Sequence, residues 1–231
     1  MRLLINAVVT LLFASGSAFA NGPPPMAAVG SLERAGRIDC SAVLVAPDLL
    51  ATAAHCVAGQ TLVAEGGTFT IVFRTGQYHG HPSVARNAVR LMPHPLYLTA
   101  KVGNTKPMGV DMALIALDEP VPPDVARPIP LGPALTDEDR VLVAGYPGGL
   151  GARARERMCP ILSFKATIAR LSCKVVPGES GSPVMRKTEN GVELAAIIVA
   201  SSTETQPPYG LVVQAEVRIR QVMAVYGIVL P

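Results

Sequence analysis

One seven-residue stretch, Pro177-Gly178-Glu179-Ser180-Gly181-Ser182-Pro183, holds a serine close to two glycines, with a proline at either end. Glycine permits backbone geometry that a Cβ forbids, and the prolines keep the segment out of helix and mid-sheet. Such a loop can hold the Ser180 hydroxyl clear of the backbone and aim the Gly178 and Ser180 N–H groups at one point. Acyl transfer needs that arrangement: a nucleophile beside two donors for an oxyanion. The competing reading is an ordinary surface turn, since Gly, Ser and Pro dominate turns everywhere. The rest of the chain has to decide between them.

The elements around this loop read as short strands. Ser41–Val45, Leu49–Ala53, Thr68–Arg74, Val84–Met92, Asp111–Leu117, Arg140–Tyr146, Ser163–Leu171, Val192–Ala200 and Leu211–Ala215 are apolar or alternating runs. Turn residues such as Ala46-Pro47-Asp48, Pro93-His94-Pro95 and Pro147-Gly148-Gly149 separate them. Tyr97–Gly109 reads as a polar loop, and Val217–Tyr226 as the one helix. Many short strands with little helix predict an all-β barrel or sandwich. The Pro-rich stretch Pro120–Pro133 divides the chain into two halves.

Composition narrows the function classes. Residues 1–20 read as an export signal: Arg2, a short apolar run, then Ala18-Phe19-Ala20 as a small-x-small cleavage site. The run is short for a membrane span of ~20 residues. Cleavage after Ala20 would remove Arg2 and lower the formal charge from +3 by one, to +2. A near-neutral chain without Trp or a basic run does not suggest nucleic-acid binding. The mature chain is expected to be free of the membrane, monomeric, and secreted or periplasmic. Four cysteines suit an oxidising compartment. They allow three pairings, of which sequence proximity favours Cys40–Cys56 and Cys159–Cys173. A zinc site is the weaker alternative, because there is no CxxC and the histidines are not spaced as partners. His79, His81 and His94 lie beside Gly or Pro and read as solvated loop residues.

Three motifs carry a resemblance. Thr52-Ala53-Ala54-His55-Cys56, with Cys40 upstream, resembles the histidine motif of the chymotrypsin-like (trypsin-fold) serine peptidases. Asp111-Met112-Ala113-Leu114 resembles that family's aspartate motif, and Gly178 to Pro183 its serine motif. The order His, Asp, Ser is the chymotrypsin order. The chain looks most like bacterial secreted trypsin-like and glutamyl-endopeptidase-like members. The resemblance implies two six-stranded Greek-key β-barrels with a short C-terminal helix. It also implies a catalytic triad of His55, Asp111 and Ser180, with an oxyanion hole from the Gly178 and Ser180 N–H groups. A serine alcohol is a poor nucleophile without an adjacent base, and histidine is a base suited to neutral pH. No metal or organic cofactor is implied, and the partner is a protein or peptide substrate. The domain plan is a signal at 1–20, an arm at 21–36 and a peptidase domain at 37–231. Its first barrel would span about 37–120 and its second about 134–231. A non-catalytic binding protein on the same fold is the alternative.

The chain also departs from the family pattern. Glu179 stands where digestive members carry the aspartate that pairs with a newly cut N-terminus, and there is no Ile-Val-Gly-Gly start. Glu179 is then either solvated or anchored by another group. Lys174, six residues before Ser180, replaces the aspartate that selects basic side chains, and a cation there would repel them. Glutamate-specific members use a histidine after the nucleophile, and none follows His94. The expected pocket comprises Lys174, Val175, Ala200, Ser201 and Ser202. It would favour small or apolar side chains first and acidic ones second.

Overall fold

The computed structural model describes residues 22–60, 71–76, 82–99, 107–149, 153–202, 205 and 207–229. The expected export signal, His79 and His81 lie outside them. Twelve strands close into two antiparallel barrels. The first contains β1 (Val29–Arg34), β2 (Arg37–Ala46), β3 (Leu49–Thr52), β4 (Val72–Thr75), β5 (Ala85–Pro93) and β6 (Ala113–Leu117), in the order β1-β2-β3-β6-β5-β4. Pairing of β1 with β4 closes it. The second contains β7 (Arg140–Gly145), β8 (Arg155–Lys165), β9 (Ile168–Leu171), β10 (Pro183–Thr188), β11 (Gly191–Ser202) and β12 (Tyr209–Gln214). Its order is β10-β11-β12-β9-β8-β7, closed by β10 against β7. This is the two-barrel, chymotrypsin-like architecture expected from the motifs, with α2 (Ala215–Tyr226) at the C-terminal end and Gly227 ending that helix at φ +67.

Side-chain alternation explains how the barrels join. Successive residues of a strand face opposite sides, and β7 is apolar on both. Val141 and Val143 point into the second barrel's own core, while Leu142 and Ala144 belong to the larger core shared with the first. β11 repeats this, with Ala196 and Ile198 inside and Ile197 and Val199 in the shared core. Strands buried on both faces read as continuous apolar runs, which is why these two were legible. The Pro-rich connection stitches the barrels together. Val121 N–H donates to the Pro47 carbonyl at 2.7 Å, Ile129 N–H to Leu44 at 2.9 Å and Gly132 N–H to Leu194 at 2.9 Å.

Several expectations need correction. The arm does not extend to residue 36: Pro25–Ala28 form a 3₁₀ turn with Met26, Ala27 and Ala28 buried, and β1 is a barrel strand. The first barrel therefore begins at Val29. Gly30 fits there because a Cβ would meet the Arg74 carbonyl at 2.3 Å. The stretch Ser163–Leu171 is a hairpin, turning at Ala166 with φ +54. Residues 97–99 of the expected loop belong to the short helix α1 (Pro95–Thr99). His94 is buried, 3% exposed, with its Nε2 3.0 Å from the Gln221 side-chain oxygen and its Nδ1 accepting from Leu96 N–H. It is a structural linker between β5 and α2 rather than a solvated loop residue.

Candidate active site

His55 sits where β3 runs out. After Thr52 the chain stays extended at Ala53 and makes one 3₁₀ turn, Ala54–Cys56. Ala53 and Ala54 are fully buried. The Cys40–Cys56 disulfide ties this turn to β2. Asp111 ends a second 3₁₀ turn, Met108–Val110, just before β6, and is 4% exposed. β3 pairs with β6 through Thr52 and Ala113, so the two turns emerge side by side. The Asp111 carboxylate then takes two hydrogen bonds from His55. Its backbone N–H donates to Oδ1 at 2.9 Å, and Nδ1 lies 2.7 Å from Oδ2. An ionised carboxylate only accepts, so Nδ1 carries the proton and the neutral ring leaves its lone pair on Nε2. Tyr97 on α1 is buried nearby. Burial first, and the Asp111 charge second, push its hydroxyl up to about 12.

Ser180 lies on the loop between β9 and β10. Glu179 N–H donates to the Val176 carbonyl and Ser182 N–H to the Glu179 carbonyl, both at 3.1 Å. Gly181 N–H donates to Ile198 at 2.8 Å. The N–H groups of Gly178 and Ser180 find no acceptor among the described residues. Gly178 is buried and Ser180 half-buried, and both donors are left open to an outside acceptor. The loop's shape depends on glycine. Gly178 and Gly181 have φ +91 and +81, and a Cβ on Gly181 would meet the Ser41 carbonyl at 2.1 Å.

The serine loop and the histidine turn come from different barrels and meet at β2. Ser41 N–H donates to the Ser180 carbonyl at 2.7 Å, and Thr52 Oγ1 donates to the Ser41 carbonyl at 2.8 Å. Ser41 follows Cys40, whose disulfide partner follows His55. One backbone hydrogen bond and one disulfide therefore link Ser180 to His55.

Glu179 is not solvated. It is 1% exposed, and the Arg157 guanidinium grips both carboxylate oxygens, at 2.6 and 3.0 Å. Val176 N–H adds a third bond at 2.9 Å. Arg157 lies on β8, two residues from the Cys159–Cys173 disulfide. Lys174 is exposed and lines a cavity of about 350 Å³ with Arg155, Glu156, Arg157, Val176 and Glu179. Val175, Ala200, Ser201 and Ser202 are not part of that lining. Val175 is buried against Gly210, where a Cβ would meet Val175 Cγ2 at 2.8 Å. The sulphurs of Cys40 and Cys56 and a His55 nitrogen lie within 4.8 Å of one another. Because the sulphurs are joined, they offer no thiolate to a metal.

Arg157 carries no sequence signal of its own. The cysteine pair Cys159–Cys173 was the available pointer to Arg157, since a bridge across β8 brings that strand to the serine loop.

Among curated proteins, no relative matches the chain. The family model described as "Trypsin-like peptidase domain" matches residues 40–193, which contain the histidine turn, the Asp111 turn and the serine loop. With that match and its two closed barrels, the chain belongs to the trypsin-like peptidase domain family.

Proposed function

We propose that the protein is an exported serine endopeptidase working through an acyl-enzyme on Ser180. The observation that carries the reading is the convergence at β2: one disulfide and one backbone hydrogen bond tie the His55–Asp111 pair to a serine loop with two uncommitted N–H groups. Ser180 Oγ attacks the scissile carbonyl, and His55 Nε2 takes its proton and returns it to the leaving amine. Asp111 holds the ring with its free lone pair outward and stabilises the charged form. The Gly178 and Ser180 N–H groups hold the oxyanion. Water then attacks the acyl group by the same route. Glu179 has its partner in Arg157, so this site calls for no newly cut N-terminus. The exposed Lys174 disfavours a basic side chain before the cleaved bond, and the reading keeps small or apolar side chains first and acidic ones second, in a peptidase of the bacterial secreted kind. The paired cysteines fit an extracytoplasmic site of action.

A fluorophosphonate probe tests the reading on the protein starting at Asn21. Labelling is expected at Ser180 and is lost in Ser180→Ala and in His55→Ala. Loss of either side chain should lower kcat on a cleaved peptide roughly 10⁴-fold or more, a magnitude taken from this family's triad. A Ser180→Ala protein that turns over peptide at the wild-type rate would sink the proposal. A folded wild-type protein that takes no label would point instead to a binding protein on this scaffold.

A further inference from the structure

An oxyanion site is useful only if its N–H groups face the right way, and Gly178 does not secure this by itself. At φ +91 it is a glycine with wide conformational freedom. In a trans peptide the carbonyl and the next N–H point in opposite directions. Rotating the Pro177–Gly178 peptide would replace the Gly178 donor with the Pro177 oxygen. An acceptor would then face the developing negative charge. Two hydrogen bonds oppose that rotation. Gly148 N–H, in the turn after β7, donates to the Pro177 carbonyl at 2.7 Å. Ser41 Oγ donates to the Gly178 carbonyl at 3.0 Å and is 0% exposed. The Ser41 hydroxyl also accepts from Tyr146 N–H at 2.8 Å. A hydroxyl has one hydrogen to give, so with Tyr146 donating, that hydrogen is committed to Gly178. The contact is close on both sides. A Cβ on Gly178 would meet Gly148 N at 2.0 Å, and one on Gly148 would meet the Pro177 oxygen at 3.3 Å.

We propose that Ser41 is a positioning residue for the oxyanion site, its hydroxyl and the Gly148 amide fixing the two peptide planes on either side of Gly178. The proposal rests on the peptidase reading. It assigns Ser41 a role in the rate of acylation and none in holding substrate. The brace spans both barrels: Ser41 is on β2, whereas Tyr146 and Gly148 follow β7. Docking of the barrels thus sets the orientation of the Gly178 N–H.

The test is the pre-steady-state burst with p-nitrophenyl acetate, comparing the wild type, Ser41→Ala, and Thr75→Val as a control. Thr75 is another buried hydroxyl, which accepts from Val84 N–H in the first barrel. Ser41→Ala should lower the acylation constant about 10²-fold, the scale of one oxyanion donor. Its Ks should stay within about twofold, and the pH midpoint should not move, because the His55–Asp111 pair is untouched. Thr75→Val should leave the acylation constant unchanged. A purely structural role for Ser41 would reduce burst amplitude and leave the constant alone, and that result overturns the proposal. A second measurement needs no turnover: hydrogen exchange at the Gly148 amide in Ser180→Ala. Slow exchange supports the brace even if Ser41→Ala fails to fold, whereas exchange at the free-loop rate overturns it. A protected Gly148 amide in a wild-type protein without a Ser180-dependent burst overturns the peptidase reading and leaves the brace standing.

Discussion

Arg157 and Glu179 form the most enclosed charge pair at the site, with side chains 24% and 1% exposed. Breaking such a pair from one side leaves a charge with no partner, which typically costs about 3–5 kcal/mol. Arg157→Met should therefore destabilise the protein by about 3 kcal/mol in denaturant unfolding. Arg157→Met with Glu179→Met should recover much of that loss, because an apolar pair can replace a buried ion pair. A double variant no more stable than Arg157→Met would show that Glu179 matters through Val176 N–H rather than through its charge. This pair also marks how far single residues could be read from the sequence. Glu179 was conspicuous because it sits inside a motif. Its partner is 22 positions away on a strand whose neighbours Arg155 and Glu156 are exposed. An arginine in such company looks like any solvated cation until the strand is placed. His55, Asp111 and Ser180 stood out for the opposite reason: each lies in a short motif that resembles the family's, with small or glycine residues close by in the sequence.

Elements were legible where burial was two-sided and obscure where it was not. β7 and β11 are nearly continuous apolar runs. β8 is mostly exposed, with Met158 and Leu162 outward and Cys159 alone fully buried among its residues, so its pattern resembles a polar loop. β1 hides behind a Pro-rich lead, and β10 opens on a proline. The two disulfides staple elements of both kinds. Their sequence separations, 16 and 14, are nearly equal. Chain-entropy arguments then assign each about 3 kcal/mol. Replacing either pair with alanines should lower stability by similar amounts in thermal unfolding. Their effects on chemistry should differ. Cys40–Cys56 joins the residue before Ser41 to the one after His55, so its loss should lower kcat on a cleaved peptide as well. Cys159–Cys173 lies farther back, and the Arg157 grip on Glu179 still holds the serine loop when it is gone. Equal kcat losses from the two removals would contradict this division.

For the whole molecule, the question is what keeps two closed barrels docked around one site. Much of the answer is the shared apolar core, and the rest includes a polar clamp at the seam of the second barrel. Asp139 precedes β7 and Arg186 lies on β10, the strand that closes the barrel against β7. Arg186 Nε donates to Asp139 Oδ1 at 2.8 Å, and its other nitrogens donate to the Pro133 and Ala134 carbonyls of the inter-barrel connection. Arg186 holds the Asp139 carboxyl below its ordinary value of 3.8, with Thr136 N–H helping and partial burial opposing. A carboxyl depressed in the folded state stabilises the fold fully above its unfolded-state value. That contribution disappears as pH falls through the lower folded-state value. The wild type should therefore lose stability below about pH 4, partly through this clamp. Asp139→Asn keeps the shape but loses the charge-assisted bonds, so it should cost about 2 kcal/mol at pH 7. Its stability should also fall less steeply on acidification, and the two proteins should converge at the acid end. Urea unfolding of both between pH 7 and pH 2.5 reads this directly. Parallel curves that never converge would mean that Asp139 acts through packing, and that the seam is held by the core alone.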